Sequence, residues 1–183
     1  MISDRLKTET RYLHDLTEEK FNSKKIFEST FSLEDYRKLL LYNYFLISNF
    51  EDAVFSLIPT DAAQKIQLQK RRKLKLIETD LQNLGTELPP QEFKVAVNSE
   101  AEAWGIFYVM EGSTLGGNMI AKQLSKNAEF KNVNFSYFRC YGEHTGSCWK
   151  SFKEVLDQQV ASEKFEECIA GANKAYRFLL DLP

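Results

Sequence analysis

Apolar residues recur along this chain at the spacing of a helix almost from end to end. Leu6, Leu13 and Leu16 lie seven and three residues apart and predict a first helix over residues 3–21. Ser32, followed three residues later by Asp35, reads as a capping box that opens a second helix. Its apolar positions, Tyr36, Leu39, Leu40, Tyr44, Ile47, Phe50, Val54 and Ile58, cover a wide arc, so the helix is expected to be central, and Pro59 stops it. Thr60 can cap a third helix running toward Leu84, with Gly85 as its stop. Pro89-Pro90 breaks the chain, and a fourth helical region is expected from about residue 92 to about 126. Residues 127–146 are the least regular, with Asn134, Gly142 and Gly146 as bending points. Thr145 or Ser147 can open a helix through Trp149, Phe152, Val155 and Leu156. Phe165, Cys168, Ile169, Ala172, Tyr176 and Leu179 form a last stripe of clean 3.6 period. No segment alternates with the period of a strand. The pattern predicts an all-α helical bundle, a single domain over residues 1–183.

Composition narrows the class without changing the architecture. The 183 residues are 27% charged and 43% apolar, ordinary for a soluble globular protein and enough for a sizeable core. No apolar run approaches the roughly 18 residues that cross a bilayer, and the N-terminus has no apolar signal core. A net charge of −2 argues against generic nucleic-acid binding. Cys140, Cys148 and Cys168 are odd in number and form no Cys-x-x-Cys, which makes a reducing cytoplasm the default expectation. Lys65, Lys70, Arg71, Arg72, Lys73 and Lys75 form a basic run, read as a solvated helix face or, alternatively, as a docking face for an acidic partner.

Glycine placement is the first unusual feature. Four of the eight glycines, Gly105, Gly112, Gly116 and Gly117, fall in the stretch Trp104–Leu124, whose flanks read as helix. Each glycine inside a helix costs about 1 kcal/mol against alanine. Three motives can offset that cost. The backbone can lie close to a flat group, the Gly-Ser sequence can kink the helix, or Gly112 and Gly116 can form a tight helix crossing. All three remain open from the residues alone.

The second feature is a face of the first helix. Lys7, Arg11, His14 and Glu18 follow one another at steps of four, three and four residues and share one side. Lone histidines are usually structural, but His14 has company. Two cations able to pair with carboxylates lie on one side of it. On the other side a carboxylate can orient the imidazole. A neutral ligand flanked by cations suits a metal inside an anionic macrocycle. The second histidine, His144, sits in Gly-Glu-His-Thr-Gly, a loop sequence, and is read as structural. No His-Glu-x-x-His, Ser-His-Asp or phosphate-loop pattern competes.

Together these stretches resemble the biliverdin-forming heme oxygenases of bacterial type. Leu6–His14 followed by Glu18 is similar to that family's proximal helix, and Gly112-Ser113-Thr114-Leu115-Gly116-Gly117 to its kinked distal helix. Tyr141–Phe152 and Ala172–Leu179 resemble its later helices, so the likeness spans roughly residues 3–180. The resemblance implies a heme held between His14, as axial iron ligand, and the backbone of Gly112, Gly116 and Gly117, with Ser113 beside them. Heme is then both cofactor and substrate. With O₂ and electrons from an external ferredoxin- or reductase-type donor it yields biliverdin, CO and ferrous iron. The resemblance also places Lys7, Arg11 and Lys150 at the heme edge, Glu18, Tyr108 and Tyr176 among the heme-binding positions, and Lys122 near the donor-docking edge. Three departures bear on heme orientation. Ser113 stands where the mammalian-type enzymes have an aspartate, Phe107 aligns where a propionate-binding tyrosine is expected, with Tyr108 one place on, and Glu154 replaces an arginine. Rival readings on the same residues are a heme carrier without turnover, a TenA-like thiamin-degrading enzyme of the same fold with a nucleophilic cysteine, and a helical interaction module.

Overall fold

In the computed structural model, which describes residues 1–90 and 95–183, the helical periods become α1 (Ile2–Glu9), α2 (Arg11–Lys20), α3 (Lys24–Phe27), α4 (Leu33–Leu57), α5 (Thr60–Lys65), α6 (Leu74–Asn83), α7 (Glu100–Leu124), α8 (Thr145–Gln159) and α9 (Phe165–Asp181). Short 3-10 turns join several of them, and among the described residues there is no strand. The fold is all-α, as the hydrophobic pattern predicts.

The first expected helix is two. Thr10 takes φ −96° and ψ 0° and turns its hydroxyl onto the Leu6 carbonyl at 2.7 Å, a back-bond of the kind that bends helices. The amide of His14 still donates to the Thr10 carbonyl at 3.0 Å, so α2 continues with a changed direction rather than a new start. The second helix forms as expected. Ser32 Oγ accepts from the Asp35 amide at 3.1 Å, and the Asp35 carboxylate accepts from the Ser32 amide at 3.0 Å. Tyr36, Leu40, Leu46, Ile47, Phe50 and Val54 are all fully buried, each contributing about 1.5–3 kcal/mol from the area removed from water.

The third expected helix is interrupted. Gln67 adopts a left-handed φ of 53°, a 3-10 turn covers Leu68–Arg71, and α6 begins only at Leu74. Gly85 ends it with φ +68°, as the sequence suggests. The interruption turns Arg71 and Lys73 into the core, while Lys65, Lys70, Arg72 and Lys75 stay exposed. The solvated-face reading therefore holds for four of the six cations and fails for Arg71 and Lys73. The fourth expected helix starts later than its apolar pattern indicates. Ser99 caps it by accepting from the Glu102 amide at 3.2 Å, residues 95–99 are not helical, and the expected start near residue 92 lies outside the described residues.

α7 is the axis of the bundle, with α9 and α4 packed on it, α2 lying on α9, and α8 covering α7 and α1. The tight crossing that glycine permits is at Gly105 and Gly171. A Cβ on Gly105 would lie 1.8 Å from the Cys168 carbonyl oxygen, and one on Gly171 would lie 2.2 Å from that of Glu102. Gly112 and Gly116 take no part in it, which corrects that alternative reading. The irregular segment is pinned by buried Asp80, whose carboxylate accepts from the amides of Ser136 (3.1 Å) and Tyr137 (2.8 Å). Its left-handed bends are at Phe135 (φ 56°) and Gly142 (φ 51°), not at Asn134.

Candidate functional site

α2 presents His14 half-exposed, and among the described residues neither ring nitrogen has a hydrogen bond. Nδ1 is buried without a partner, 3.5 Å from Asp15 Oδ1, and Nε2 is 3.9 Å from Glu18 Oε1. The orienting carboxylate expected at Glu18 is thus on the Nε2 side, and Asp15 is the acid beside Nδ1. Arg11 does not stand free beside the imidazole. Its guanidinium pairs with Asp15 at 2.8 Å and holds that carboxyl below its ordinary range. Lys7 is exposed, and among the described residues no ion pair forms with it. Lys150 is exposed as well, 3.8 Å from Glu154. Ser3 donates to Asp157 through its amide (2.8 Å) and its hydroxyl (2.7 Å), so the helices bearing Lys7 and Lys150 are neighbours. Lys122 lies exposed near the end of α7.

Behind His14 stand two tyrosines. The Tyr176 ring meets the imidazole edge-on with centroids 6.1 Å apart. Burial raises its hydroxyl, Tyr108 adds to the rise, and Thr10 opposes it. Tyr108 of α7 packs on Trp149 at 5.2 Å, and burial pushes its hydroxyl up to about 12. Phe107 is fully buried between Trp104, Phe55 and Phe152, so both adjacent rings pack on α8, and Tyr108 is the one near the second tyrosine.

One turn beyond Tyr108, α7 runs unbroken through its glycines. A Cβ on Gly116 would meet nothing within 4 Å, and one on Gly112 only the edge of Trp149 at 3.9 Å. Gly117 differs from both. Its Cβ would lie 2.0 Å from the Phe138 ring, so it serves close packing on the buried side of the helix. Leu115 and Met119, close to Gly116 on the same helix, are exposed apolar side chains. Ser113 donates to the Met110 carbonyl at 2.7 Å and shares a hydrogen bond of 2.9 Å with the Tyr137 hydroxyl, which reaches Asn43 Oδ1 at 3.0 Å. Tyr137 and Asn43 escaped the sequence reading, because residues 94 positions apart carry no local signal of contact. A second missed group is buried Glu111, legible only as a charge directly after the apolar run Ile106–Met110.

Neither Cys140 nor Cys168 offers an activated thiolate. Burial pushes Cys140 up to about 11 and Cys168 up to about 12, away from the range of a nucleophile at neutral pH. All three are free. His144 is exposed in a 3-10 turn. A surface hollow of about 510 Å³ on the outer side of α9, lined by Asn173, Lys174, Arg177 and Phe178 among others, contains none of the residues above. No helix among the described residues is long and apolar enough to cross a membrane.

α7 thus carries a bare glycine face, and α2 an imidazole whose Nδ1 has no hydrogen-bond partner among the described residues. Comparison with known proteins gives the class. The sequence matches the family described as heme oxygenase over residues 1–182. A "Heme oxygenase" of Xanthomonas campestris pv. campestris (strain 8004) is 30% identical over 148 residues, covering 78% of this chain and 85% of the relative. The crystal structures of the NO- and CO-bound heme oxygenase from Neisseria meningitidis share the fold, with a TM-score of 0.79 at 22% identity over 98% of this chain and 88% of that one. The chain belongs to the heme oxygenase family, oxidoreductases that degrade heme.

Proposed function

We propose that this chain holds heme between α2 and α7 and cleaves it, with O₂ and electrons from a ferredoxin- or reductase-type donor, to biliverdin, CO and ferrous iron. The bare face of α7 carries the reading. Gly112 and Gly116 cost helix stability, yet no protein atom lies against the space a Cβ would take at Gly116. That expense is unexplained by packing and is explained by a flat group lying on the backbone. The residues fit the group on a second count, since His14 keeps both ring nitrogens free of hydrogen bonds and can give one to a metal.

When bound, heme supplies an iron that binds O₂ and a ring whose meso carbon is oxidised. The chain's residues do the rest. His14 would hold the iron, and Tyr176 limits the swing of its ring by standing edge-on to it. Lys7 and Lys150, on adjacent helices, take the propionates at the wet edge, while Arg11 acts there only as far as Asp15 releases it. Tyr108 and Trp149 line the apolar side. Gly116 and Gly112 keep side-chain atoms out of the oxygen space. Ser113 Oγ, held by Met110 and Tyr137, orders water there, and no carboxylic acid needs to stand in its place.

The deciding experiment adds hemin to the purified protein, records the Soret band, then supplies a reductant and O₂. A bilin band should replace the Soret band. His14→Ala should abolish turnover and leave a site that added imidazole refills. A Soret band that persists under reductant and O₂ indicates a carrier and ends the enzyme reading. A His14→Ala protein with the wild-type spectrum and yield moves the ligand elsewhere.

A further inference from the structure

Glu111 is 2% exposed, and its carboxylate is ion-paired with both Arg71 and Lys73, themselves 3% and 1% exposed. Arg71 meets Oε2 and Lys73 meets Oε1, so each carboxylate oxygen has its own cation. The Tyr141 hydroxyl is 2.9 and 3.1 Å from the same two oxygens and donates to them, and its own proton is held more tightly as a result of burial and of that negative charge. The cations are anchored in turn. Arg71 Nε donates to the Ile66 carbonyl at 2.8 Å, and its terminal nitrogen donates to the Cys148 carbonyl of α8 at 3.2 Å. The Lys73 amide donates to Glu51 of α4 at 2.6 Å. One carboxylate of α7 is thereby tied to α4, to the turn before α6, to the segment at Tyr141 and to α8.

Taking ions out of water costs several kcal/mol each, and apolar side chains of similar volume are often as stabilising. Such a cluster is better suited to fixing one geometry than to adding stability. Its position shows which geometry. Glu111 immediately precedes Gly112 and Ser113. The turn that follows has no side chains at Gly112 and Gly116 with which to hold itself in place, so rotation or sliding of α7 meets little resistance on that face.

We propose that Glu111 is a positioning residue: clamped by Arg71 and Lys73, it fixes the rotation and height of α7, presents the glycine face to heme in one register, and so sets which meso carbon is cleaved. This rests on the heme-cleaving reading above. A helix loosened at Glu111 lets Gly112 and Gly116 shift against the macrocycle, and small displacements of reacting groups change rates steeply.

Two variants test it. Glu111→Gln removes the charge and leaves two buried cations uncompensated, the harsher change. Lys73→Met leaves Arg71 facing Glu111, one cation to one carboxylate. Amide hydrogen exchange over Gly112–Gly117 is followed in the heme-free proteins. The biliverdin isomer distribution is measured well below each melting temperature. The clamp predicts exchange at least about tenfold faster at Gly112–Gly117 in Lys73→Met, with residues 101–110 unchanged. It also predicts retained hemin binding and a major-to-minor isomer ratio that falls at least about threefold. A lowered melting temperature with wild-type exchange and isomer ratio in a folded, hemin-loaded variant identifies a merely structural cluster and overturns the proposal. If the wild type forms no bilin, the functional reading fails, and the exchange comparison alone decides the clamp.

Discussion

Gly105 and Cys168 lie so close that a single added carbon has no room: a Cβ on Gly105 would sit 1.8 Å from the Cys168 carbonyl oxygen. Eleven residues along the same helix, Gly116 has nothing within 4 Å. The two glycines therefore answer different needs, and alanine separates them. Gly105→Ala must push α9 away from α7 and should destabilise the protein by about 3 kcal/mol or more, the upper end for overpacking. Gly116→Ala should stabilise the heme-free protein by up to about 1 kcal/mol, because it relieves a helical glycine without a clash. Melting temperatures of the two heme-free variants check this. A destabilised Gly116→Ala would mean that the glycine face is packed after all.

The capping box of α4 should make stability depend on acidity. Hydrogen bonds from the Ser32 amide and hydroxyl, with Lys25 beside them, hold the Asp35 carboxyl below its ordinary value of 3.8. A carboxyl lowered in the folded state contributes stability that is present above its unfolded value and is lost as the pH falls through the lower folded one. Asp35→Asn should cost about 1 kcal/mol at neutral pH. The difference from wild type should shrink as the pH drops below about 3.8. Chemical denaturation of both proteins at a series of pH values measures it, and a gap independent of pH would show that the carboxylate charge plays no part.

Lys7 and Lys150 are exposed, so the propionate contacts proposed for them would be screened by water and salt. Replacing both with alanine should weaken hemin binding only by about fivefold, in a salt-dependent way, with the melting temperature of the heme-free protein unchanged. A hemin titration at low and high salt reads this directly. Unchanged affinity at low salt together with an unchanged product would remove both lysines from the site.

Much of this molecule was legible because its signals are local. Ser32 and Asp35 are three residues apart, the stripe of α9 repeats every turn, and Gly85 stops α6 by its own backbone freedom. The stripe of Lys7, Arg11, His14 and Glu18 was legible as a face. Its internal pairing was not, because Arg11 prefers Asp15, which stands outside the stripe. Periodicity failed where a distant partner overrode it. Arg71 and Lys73 read as solvated because nothing nearby in sequence shows that Glu111, about 40 residues away, awaits them in the core. The chain breaks its helix at Gln67 to deliver them. The glycines were legible as a cost but not as a division of labour. Whether a helical glycine faces a carbonyl, a ring or open space is decided by α9 and Phe138, not by its neighbours.

Gly116→Leu tests the site most severely. The side chain would fill space that the structure leaves open, next to exposed Leu115 and one turn from Met119, so the helix gains an ordinary apolar residue and loses a glycine. The heme-free protein should melt no lower than wild type, in contrast to what a crowded crossing would give. His14 is on another helix and is untouched, so hemin should still bind with a Soret band. The oxygen space is what changes. Four carbons would stand where the proposed function puts O₂ and the water ordered by Ser113, and bilin formation should fall at least about a hundredfold, the scale expected when reacting groups are displaced by about an ångström. Melting temperature, Soret intensity and bilin yield, measured on one preparation, separate the possibilities. Loss of stability would return Gly116 to a packing role, and a stable, heme-loaded variant with normal bilin yield would remove this face of α7 from the oxygen site.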